Sequence, residues 1–397
     1  MTGYRTAQVL AVAVALLCPC TAWAQDSRVE TIEQAQAKKA GELHPYVPNA
    51  AERLIARLEN GFFAPPVGPY PWFGSVLSGG GLAIGPGYRK PFGEDGVINV
   101  FAGWSIRNYK TVDAHIHLPE AADGHLLFDV RARWVDAPRV SFFGLGNDSV
   151  RADRTSFAYE PLTAGLNVAL RPVRIFEVGG GVDYLRFNMG PGVSAPSIEE
   201  RFTPATAPGL GIDPEYVRGR AYAQIDSREA PGYTRRGTLL RVEYSDYRQD
   251  GDGFNFNRVD LDARQFVPIL RENWILAFRA LVSVTDAAAG EDVPFFLLPS
   301  LGGGSDLRSF SSFRFRDRNR MLVSAEYRWT AGHFLDMALF YDAGKVAADR
   351  SDLDFSDLKR SYGIGARFHT LSANVLRIEY ARGDEGGRIV FSAGPSF

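Results

Sequence analysis

The residues best suited to chemistry in this sequence are arginines in and just after a glycine-rich segment. Residues 301–319 read LGGGSDLRSFSSFRFRDRN, and the arginines concerned are Arg308, Arg314, Arg316, Arg318 and Arg320. A guanidinium group stays charged at neutral pH and binds carboxylates or phosphates through a planar set of donors. No helix is predicted after the glycines, so this segment is not expected to be a phosphate-binding loop.

Two histidines form a second candidate site. His115 and His117 occupy alternate positions of DAHIHL with Asp113, so in a strand all three would share one face. Imidazole and carboxylate groups could bind a metal ion, but polar lining of a wet interior is the favoured interpretation, and no metal or other cofactor is predicted. The segments GLGNDS and LGGGS lack a suitably placed histidine and acid, so we expect no enzyme.

The first 24 residues are typical of an export signal. Arg5 lies in a short polar start, the apolar stretch VLAVAVALL follows, and residues 22–24 form a small-residue cleavage site. Both cysteines, Cys18 and Cys20, lie in this segment, so we expect the mature chain to contain no disulfide. Loss of Arg5 changes 44 basic against 46 acidic residues to 43 against 46, and this balance predicts no nucleic-acid partner.

Residues 25–69 are predicted to form a separate N-terminal segment with a short amphipathic helix at residues 49–60. In NAAERLIARLENG, Asn49 is a suitable N-cap, Glu52 completes a capping box, and Gly61 ends the helix. Leu54, Ile55 and Leu58 form its apolar face. Two placements remain open: the helix lies on the periplasmic rim of a barrel, or it enters and plugs the lumen.

From residue 70 onward, apolar and polar residues alternate with a period of two. Examples are VINVFAGWSI, HLLFDVRARW, NWILAFRALVSV, MLVSAEYRWT and LRIEYAR. Apolar residues with aromatics on one face and repeated charges on the other predict an all-β fold, a single transmembrane antiparallel β-barrel of about sixteen strands over residues 70–397. No segment after residue 24 approaches the roughly 18 apolar residues of a membrane-spanning helix. The longest connections are expected at residues 188–216 and 287–320.

The chain ends in RIVFSAGPSF, which continues the alternation. Ile389, Phe391, Ala393 and Pro395 fall on one face, so we expect the last strand to run to Phe397. Together with the export signal, this pattern predicts a location in the bacterial outer membrane.

The segment VPFFLLPSLGGGSDLRSFSSFRFRDRNRMLVSAEYRW resembles the BamA, TamA and FhaC superfamily of outer-membrane insertases and secretion transporters. It is similar to the region that carries the sixth outer loop, whose tip corresponds here to Leu307, Arg308, Ser309 and Phe310. FFGLGNDS, FYDAGKV, YGIGARF and LRIEYARG fit the same family in order. The resemblance implies that the loop folds back into the lumen and that its arginine docks on the inner wall.

The alternation then supplies partners for Arg308. Glu326 faces inward on the strand after the loop, and Asp342 faces inward on the next strand. We therefore expect Arg308 to bind both carboxylates through charge-assisted hydrogen bonds. Ser309 stands where the family's tip has glycine, a change that matters if the tip needs a positive φ. Residues 25–69 are too few for a POTRA domain of the family, so a reduced, barrel-only member is predicted.

The two ends of the barrel are predicted to form a weak seam. Gly394 matches the position where the resembled insertases kink their last strand, Pro395 has no N–H to donate, and Phe397 ends the strand. On the first strand's side lie Pro69, Pro71 and the glycines Gly79, Gly80 and Gly81. One hypothesis is that this seam opens laterally; the alternative is that these are turn and rim residues.

Two functions are compatible with this sequence. The first is insertion or translocation of protein or lipid, with outer-membrane lipid and unfolded outer-membrane or secreted proteins as partners. The second is a passive or gated solute channel, in which the loop and the helix at residues 49–60 form the constriction.

Overall fold

The computed structural model describes residues 67–251, 253–270, 273–370 and 373–397. The predicted signal peptide and the predicted helix at residues 49–60 lie outside the described residues. The described residues all belong to one compact unit, residues 65–397.

Sixteen strands form one sheet in which each strand pairs antiparallel with its neighbour in the chain. The strands are β1 Gly68–Gly74, β2 Ala83–Phe92, β3 Gly96–Ser105, β4 Lys110–Ala121, β5 Leu126–Phe142, β6 Thr155–Val173, β7 Phe176–Pro191, β8 Glu215–Asp226, β9 Gly237–Gln249, β10 Phe256–Leu270, β11 Trp274–Ala287, β12 Ser300–Leu301, β13 Phe315–Arg316, β14 Asn319–Gly332, β15 Leu335–Ala347, β16 Lys359–His369, β17 Asn374–Gly383 and β18 Gly386–Ser392. The short strands β12 and β13 form a separate pair. The all-β prediction and the strand number are confirmed.

The sheet has an apolar outer face and a polar inner face. On β15, Leu339 and Tyr341 are exposed, whereas Phe340 and Asp342 between and after them are buried. Successive side chains point to opposite faces of a strand, so this difference continues from Leu335 to Asp342, beyond which every residue of β15 is buried. A sheet that turns apolar side chains outward and charges inward is suited to a lipid surround.

Short and long connections alternate along the chain. Residues 174–175 and 333–334 are short connections, whereas residues 192–214 and 288–318 are the long ones. Because the strands are antiparallel, both long connections leave the sheet at the same end. Their positions agree with those predicted from the sequence to within a few residues.

The helical segments of the described residues are short 3-10 turns, Arg151–Asp153, Ile198–Glu200 and Arg350–Asp352. Over the ranges that the structure describes, no helix combines the length and the apolar character needed to cross a membrane.

The two edge strands differ from the fourteen strands between them. β1 and β18 have 7 residues each, whereas the inner strands have between 10 and 19. Within the described residues, no hydrogen-bonded ladder joins β1 to β18. The edges of the sheet are therefore short and unpaired with each other.

The end of the chain corrects the expectation that the last strand runs to Phe397. β18 ends at Ser392, and Gly394 adopts a left-handed φ of 79° while its N–H donates to the Asn374 carbonyl. The chain then turns so that Phe397 packs on Phe266 and Ile275, with 5% of its surface exposed. Burial of the terminal ring outweighs continued strand pairing, and glycine makes the turn possible.

Candidate functional site

The long connection at residues 288–318 packs against the inner face of the sheet. Within it, β12 and β13 pair through Ser300 with Arg316 and Leu301 with Phe315. An apolar cluster joins the loop to the wall; its members are Leu301, Leu307, Phe310 and Phe315 of the loop with Leu281, Leu322 and Val346 of the strands. Burial of these side chains stabilises the loop against the wall.

Arg308 lies at the tip of this loop with 1% of its surface exposed. Its Nη2 lies 2.6 Å from a carboxylate oxygen of Glu326 on β14 and 3.1 Å from one of Asp342 on β15. Its Nη1 donates to Glu379 on β17 at 3.0 Å. The guanidinium carbon also lies 3.9 Å from the centre of the Phe340 ring, a cation–π contact. The structure thus brings Arg308, Glu326 and Asp342 together.

Glu379 is the partner that sequence reasoning missed. Its signal was present, because Arg377 and Glu379 share the inward positions of LRIEYAR. The alternation of polar and apolar residues predicts that Glu379 faces inward. It does not predict that the loop tip extends across β15 and β16 and contacts Glu379.

Three further arginines complete what we call the lock network: Arg308, Glu326, Arg328, Asp342, Arg367, Arg377 and Glu379. Arg367 donates to Glu326 at 2.7 Å and to Glu379 at 3.2 Å. Arg328 donates to Glu326 at 2.7 Å, and Arg377 donates to Glu379 at 3.0 Å. All seven side chains are buried. Four arginines against three carboxylates leave a formal charge of +1 inside the wall.

The charge of Arg308 is maintained despite its burial. Burial alone lowers the pKa of a guanidinium, but the carboxylates of Asp342, Glu326 and Glu379 raise the pKa of Arg308 above its ordinary value. Arg316, which is buried without a carboxylate partner, shows the opposite: burial lowers its pKa to about 10. Both remain protonated at neutral pH.

The other arginines of the loop fix its remaining turns. Arg314 donates to the Ser149 hydroxyl and carbonyl and to Glu385. Arg316 donates to the Phe295 carbonyl at 2.8 Å, and Arg318 donates to Asp292 at 2.7 Å. Arg320 donates to the Ser283 hydroxyl and to the Ser300 carbonyl. These contacts explain why so many arginines occur in one loop.

The tip accommodates serine in place of glycine. The Ser309 N–H donates to the Ser361 hydroxyl at 2.9 Å, and the φ angle of Ser309 is not positive. The Ser309 side chain fits because residue 383 is glycine and has no Cβ. A Cβ at that position would lie only 2.3 Å from the Ser309 Oγ. The small residue needed at this contact is therefore Gly383 on β17.

The end of the chain contacts the lock network directly. The Ser396 hydroxyl donates to Glu326 at 3.0 Å and accepts from Arg328 at 3.0 Å. The guanidinium of Arg328 also lies over the ring of Phe397. We call residues 393–397, which include Gly394 and Pro395, the terminal tail. Since the tail follows β18, the lock network is connected to the last strand.

β18 itself makes two contacts with the same region. Arg388 donates to the carbonyl of Phe310 at the loop tip, and Ser392 accepts from Arg377 at 3.0 Å. The last strand is thus held from the inside, although it lacks a partner strand on its outer edge within the described residues.

The glycines predicted at the first strand's edge lie elsewhere. Gly79, Gly80 and Gly81 belong to the turn between β1 and β2, where Gly79 and Gly81 have left-handed φ angles. The Ser78 hydroxyl in the same turn donates to Ser312 of the long loop at 2.8 Å. These glycines therefore shape a turn that contacts the loop, and the edge of β1 carries only Pro69 and Pro71 of the predicted set.

We compared the sequence with models of known protein families. Residues 212–397 match the model of the Omp85 superfamily domain. The matched residues, just under half of the chain, belong to the Omp85 superfamily domain. The match includes β8 to β18, so the loop, the lock network and the terminal tail all lie within the Omp85 domain. The protein is accordingly an outer-membrane β-barrel protein.

Solved structures share the fold of the Omp85 domain and of the strands before it. BamA from Haemophilus ducreyi lacking POTRA domains 1-3 has a TM-score of 0.59 at 14% identity, with 81% of this chain and 68% of that chain covered. CdiB from Acinetobacter baumannii has a TM-score of 0.51 at 14% identity, with 82% and 58% covered. CdiB from Escherichia coli has a TM-score of 0.53 at 13% identity, with 82% and 59% covered.

The chain spans less than two thirds of the length of either CdiB chain. A search of curated protein sequences gave no significant match.

Proposed function

We propose that this protein inserts or translocates protein at the outer membrane by opening its barrel between β1 and β18. The observation that carries the proposal is the pair of short edge strands with no ladder between them in the described residues. Edge strands offer free N–H and C=O groups that pair readily with a strand from another chain. A client strand would add to β1 or β18 by hydrogen bonding along such an edge.

The lock network supports this proposal because it confines movement to the seam. Arg308 binds three carboxylates on β14, β15 and β17, so these strands are joined from inside as well as by their ladders. Neither β1 nor β2 contributes to the lock network. The part of the wall that opens most easily is therefore the junction of β1 and β18.

The outer surface near the seam fits lipid and protein clients. Ile389 and Phe391 on β18 and Phe73 on β1 are exposed apolar side chains. In the membrane they would contact lipid, and they would contact an apolar client strand when the seam is open. We infer outer-membrane lipid and unfolded outer-membrane or secreted proteins as partners.

Disulfide bonds across the seam test this proposal. Phe73→Cys with Ile389→Cys, and Pro71→Cys with Phe391→Cys, place thiols on the two edges, and Ile364→Cys with Tyr380→Cys is a control pair on the joined strands β16 and β17. The protein is reconstituted in vesicles with a urea-unfolded outer-membrane barrel as client, and folding of the client is followed by its heat-sensitive gel mobility. Oxidation of the seam pairs should abolish acceleration of client folding, and reduction should restore it.

The control pair should retain full acceleration after oxidation. Oxidised seam pairs that form completely and still accelerate folding would overturn lateral opening as the mechanism.

A solute channel is the second candidate, and the inner wall of β7 to β10 favours it. Arg241 pairs with Glu243 at 2.6 Å, and Asp262 pairs with Arg264 at 2.6 Å, and all four side chains are partly exposed. Charged walls of this kind line water-filled pores. A channel predicts that planar-bilayer conductance rises when residues 302–314 are deleted, without any effect on client folding.

A further inference from the structure

A cluster of two histidines and one aspartate lies on β4 and β5, on strands that carry no member of the lock network. His115 Nε2 lies 2.6 Å and His117 Nδ1 lies 2.9 Å from the same oxygen, Asp129 Oδ2. One ligand atom from each residue lies within 4.8 Å of the others. We propose that His115, His117 and Asp129 bind a divalent cation of borderline softness such as Zn²⁺.

The strand register explains why these three side chains converge. His115 and His117 are two residues apart on β4, so both face inward, and Asp129 lies directly opposite His117 on β5. Their side chains are 29%, 36% and 26% exposed, so an ion in the lumen can reach them. The cluster lies near the short turn at residues 122–125, at the end of the sheet away from the long loops.

The chemistry of the donor set suits such an ion. Each imidazole ring must donate an N–H to bind the shared oxygen of Asp129. Two ring protons are therefore directed at one negatively charged oxygen atom. A cation placed there takes the position of both protons and receives two imidazole nitrogens and one carboxylate oxygen. Zinc binds these ligand types, and three protein ligands leave a position for water or for a molecule in the lumen.

The acid nearest to the histidines in the sequence is already paired with arginine. Asp113, the acid that the sequence places beside the histidines, is not the ligand, because Arg131 donates to it from Nε and Nη2 at 3.0 and 2.7 Å. Arg133 Nε also lies 3.8 Å from Asp113, so this carboxylate offsets part of the charge of Arg131, which lies opposite His115 in the ladder. Asp129 is then the carboxylate available to a cation.

A further oxygen is available on the next strand. Asn167 on β6 lies directly opposite Asp129, and its Nδ2 donates to the Tyr222 hydroxyl at 3.2 Å. Its Oδ1 is buried and has no hydrogen-bond partner within the described residues. An amide oxygen so placed can accept a hydrogen bond from metal-bound water, which would orient that water.

Titration of the purified protein in detergent with Zn²⁺ tests the inference. We expect one equivalent to bind, with affinity reduced at least about tenfold in His117→Ala and in Asp129→Asn. His125→Ala is the matched control, because His125 is exposed near the same turn and bonds to the Arg171 carbonyl instead. It should bind as the unchanged protein does. Heat-sensitive gel mobility verifies that each variant is folded.

Binding of Co²⁺ gives a second, spectroscopic measurement. A visible absorption band that requires His115, His117 and Asp129 would support coordination by all three residues. Absence of stoichiometric Zn²⁺ binding, or equal binding by the folded His117→Ala variant, would overturn the inference. Neither result depends on the function proposed above.

Discussion

Two stretches of the inner wall have the same kind of sequence and different surroundings. β7 to β10 and β14 to β17 both place arginines and carboxylates at alternate inward positions. On β10, Asp262 and Arg264 are 19% and 20% exposed, whereas on β14 and β17 the side chains of Glu326 and Glu379 are fully buried. The difference is the tip of the long loop, which packs on β14 and β15 through Leu301, Leu307, Phe310 and Phe315. Strand alternation makes a charged wall, and the loop tip shields from water the part of that wall that contains the lock network.

This contrast has an energetic consequence. A partly hydrated ion pair contributes about 0–1 kcal/mol, because water compensates for its loss. Removal of one partner from a buried network costs about 3–5 kcal/mol, because the remaining charge is left without compensation. Equivalent substitutions in the two stretches should therefore differ severalfold in their effect on the free energy of unfolding.

The largest effect is expected for Glu326→Gln. Glu326 binds Arg308, Arg328 and Arg367, and its neutralisation leaves four buried arginines against two carboxylates. We expect a loss of about 5 kcal/mol, measured by urea unfolding in vesicles with tryptophan fluorescence. Glu243→Gln is the matched control, since Glu243 pairs with Arg241 on the more hydrated stretch. Equal losses for the two variants would contradict the contrast.

Arg308→Ala should have the next largest effect. Its removal releases the loop tip but leaves three arginines and three carboxylates, so the residual charge is balanced. We expect a loss of about 3 kcal/mol in the same unfolding measurement. Arg308→Lys should recover only part of it, because an ammonium group cannot reproduce the planar fork that binds carboxylates on three strands. A loss below about 1 kcal/mol for Arg308→Ala would show that the network is hydrated.

Arg264→Ala probes the more hydrated wall. Its partner Asp262 keeps a second arginine, Arg279, at 3.2 Å, and water reaches the pair. The expected loss is about 1 kcal/mol or less by urea unfolding. A loss as large as that of Arg308→Ala would mean that hydration does not distinguish the two stretches.

Ser309→Gly should have the smallest effect. Ser309 does not use a positive φ, so glycine brings no conformational gain, and its added freedom in the unfolded chain costs about 0.5 kcal/mol. Gly383→Ala is the second variant to compare. The added Cβ would collide with Ser309 and displace the loop tip, so the loop should become sensitive to protease. If Ser309→Gly were strongly stabilising, the tip would be strained in a way that its geometry does not show.

Most of the fold and part of the lock network could be predicted from the sequence. Alternation gave the sheet, the strand number and the inward positions of Glu326 and Asp342, and the family resemblance placed Arg308 between them. Glu379 was missed because alternation gives the face of a residue, not the span of a loop across several strands.

Register and tertiary burial account for the other differences. Asp113 and Asp129 are both inward acids near the histidines, and only the pairing of β4 with β5 places Asp129 opposite His117. The tail continues the strand pattern in sequence, yet it turns at Gly394 because a buried pocket beside Phe266 receives Phe397. Neither the register nor the pocket is encoded in the local pattern.

A disulfide between the loop tip and the wall tests the central claim most directly. The backbone N–H of Ser309 donates to the Ser361 hydroxyl at 2.9 Å, and the Ser309 hydroxyl lies beside Gly383, the ladder partner of Ser361. Ser309→Cys with Ser361→Cys should therefore form a disulfide in intact membranes. Ser309→Cys with Ser245→Cys, which lies inward on β9, should not. The opposite result is that Cys at position 309 stays reduced in the first pair and reacts with a membrane-impermeant maleimide added outside the cells. The loop would then lie outside the barrel, which contradicts docking of its tip on the inner wall.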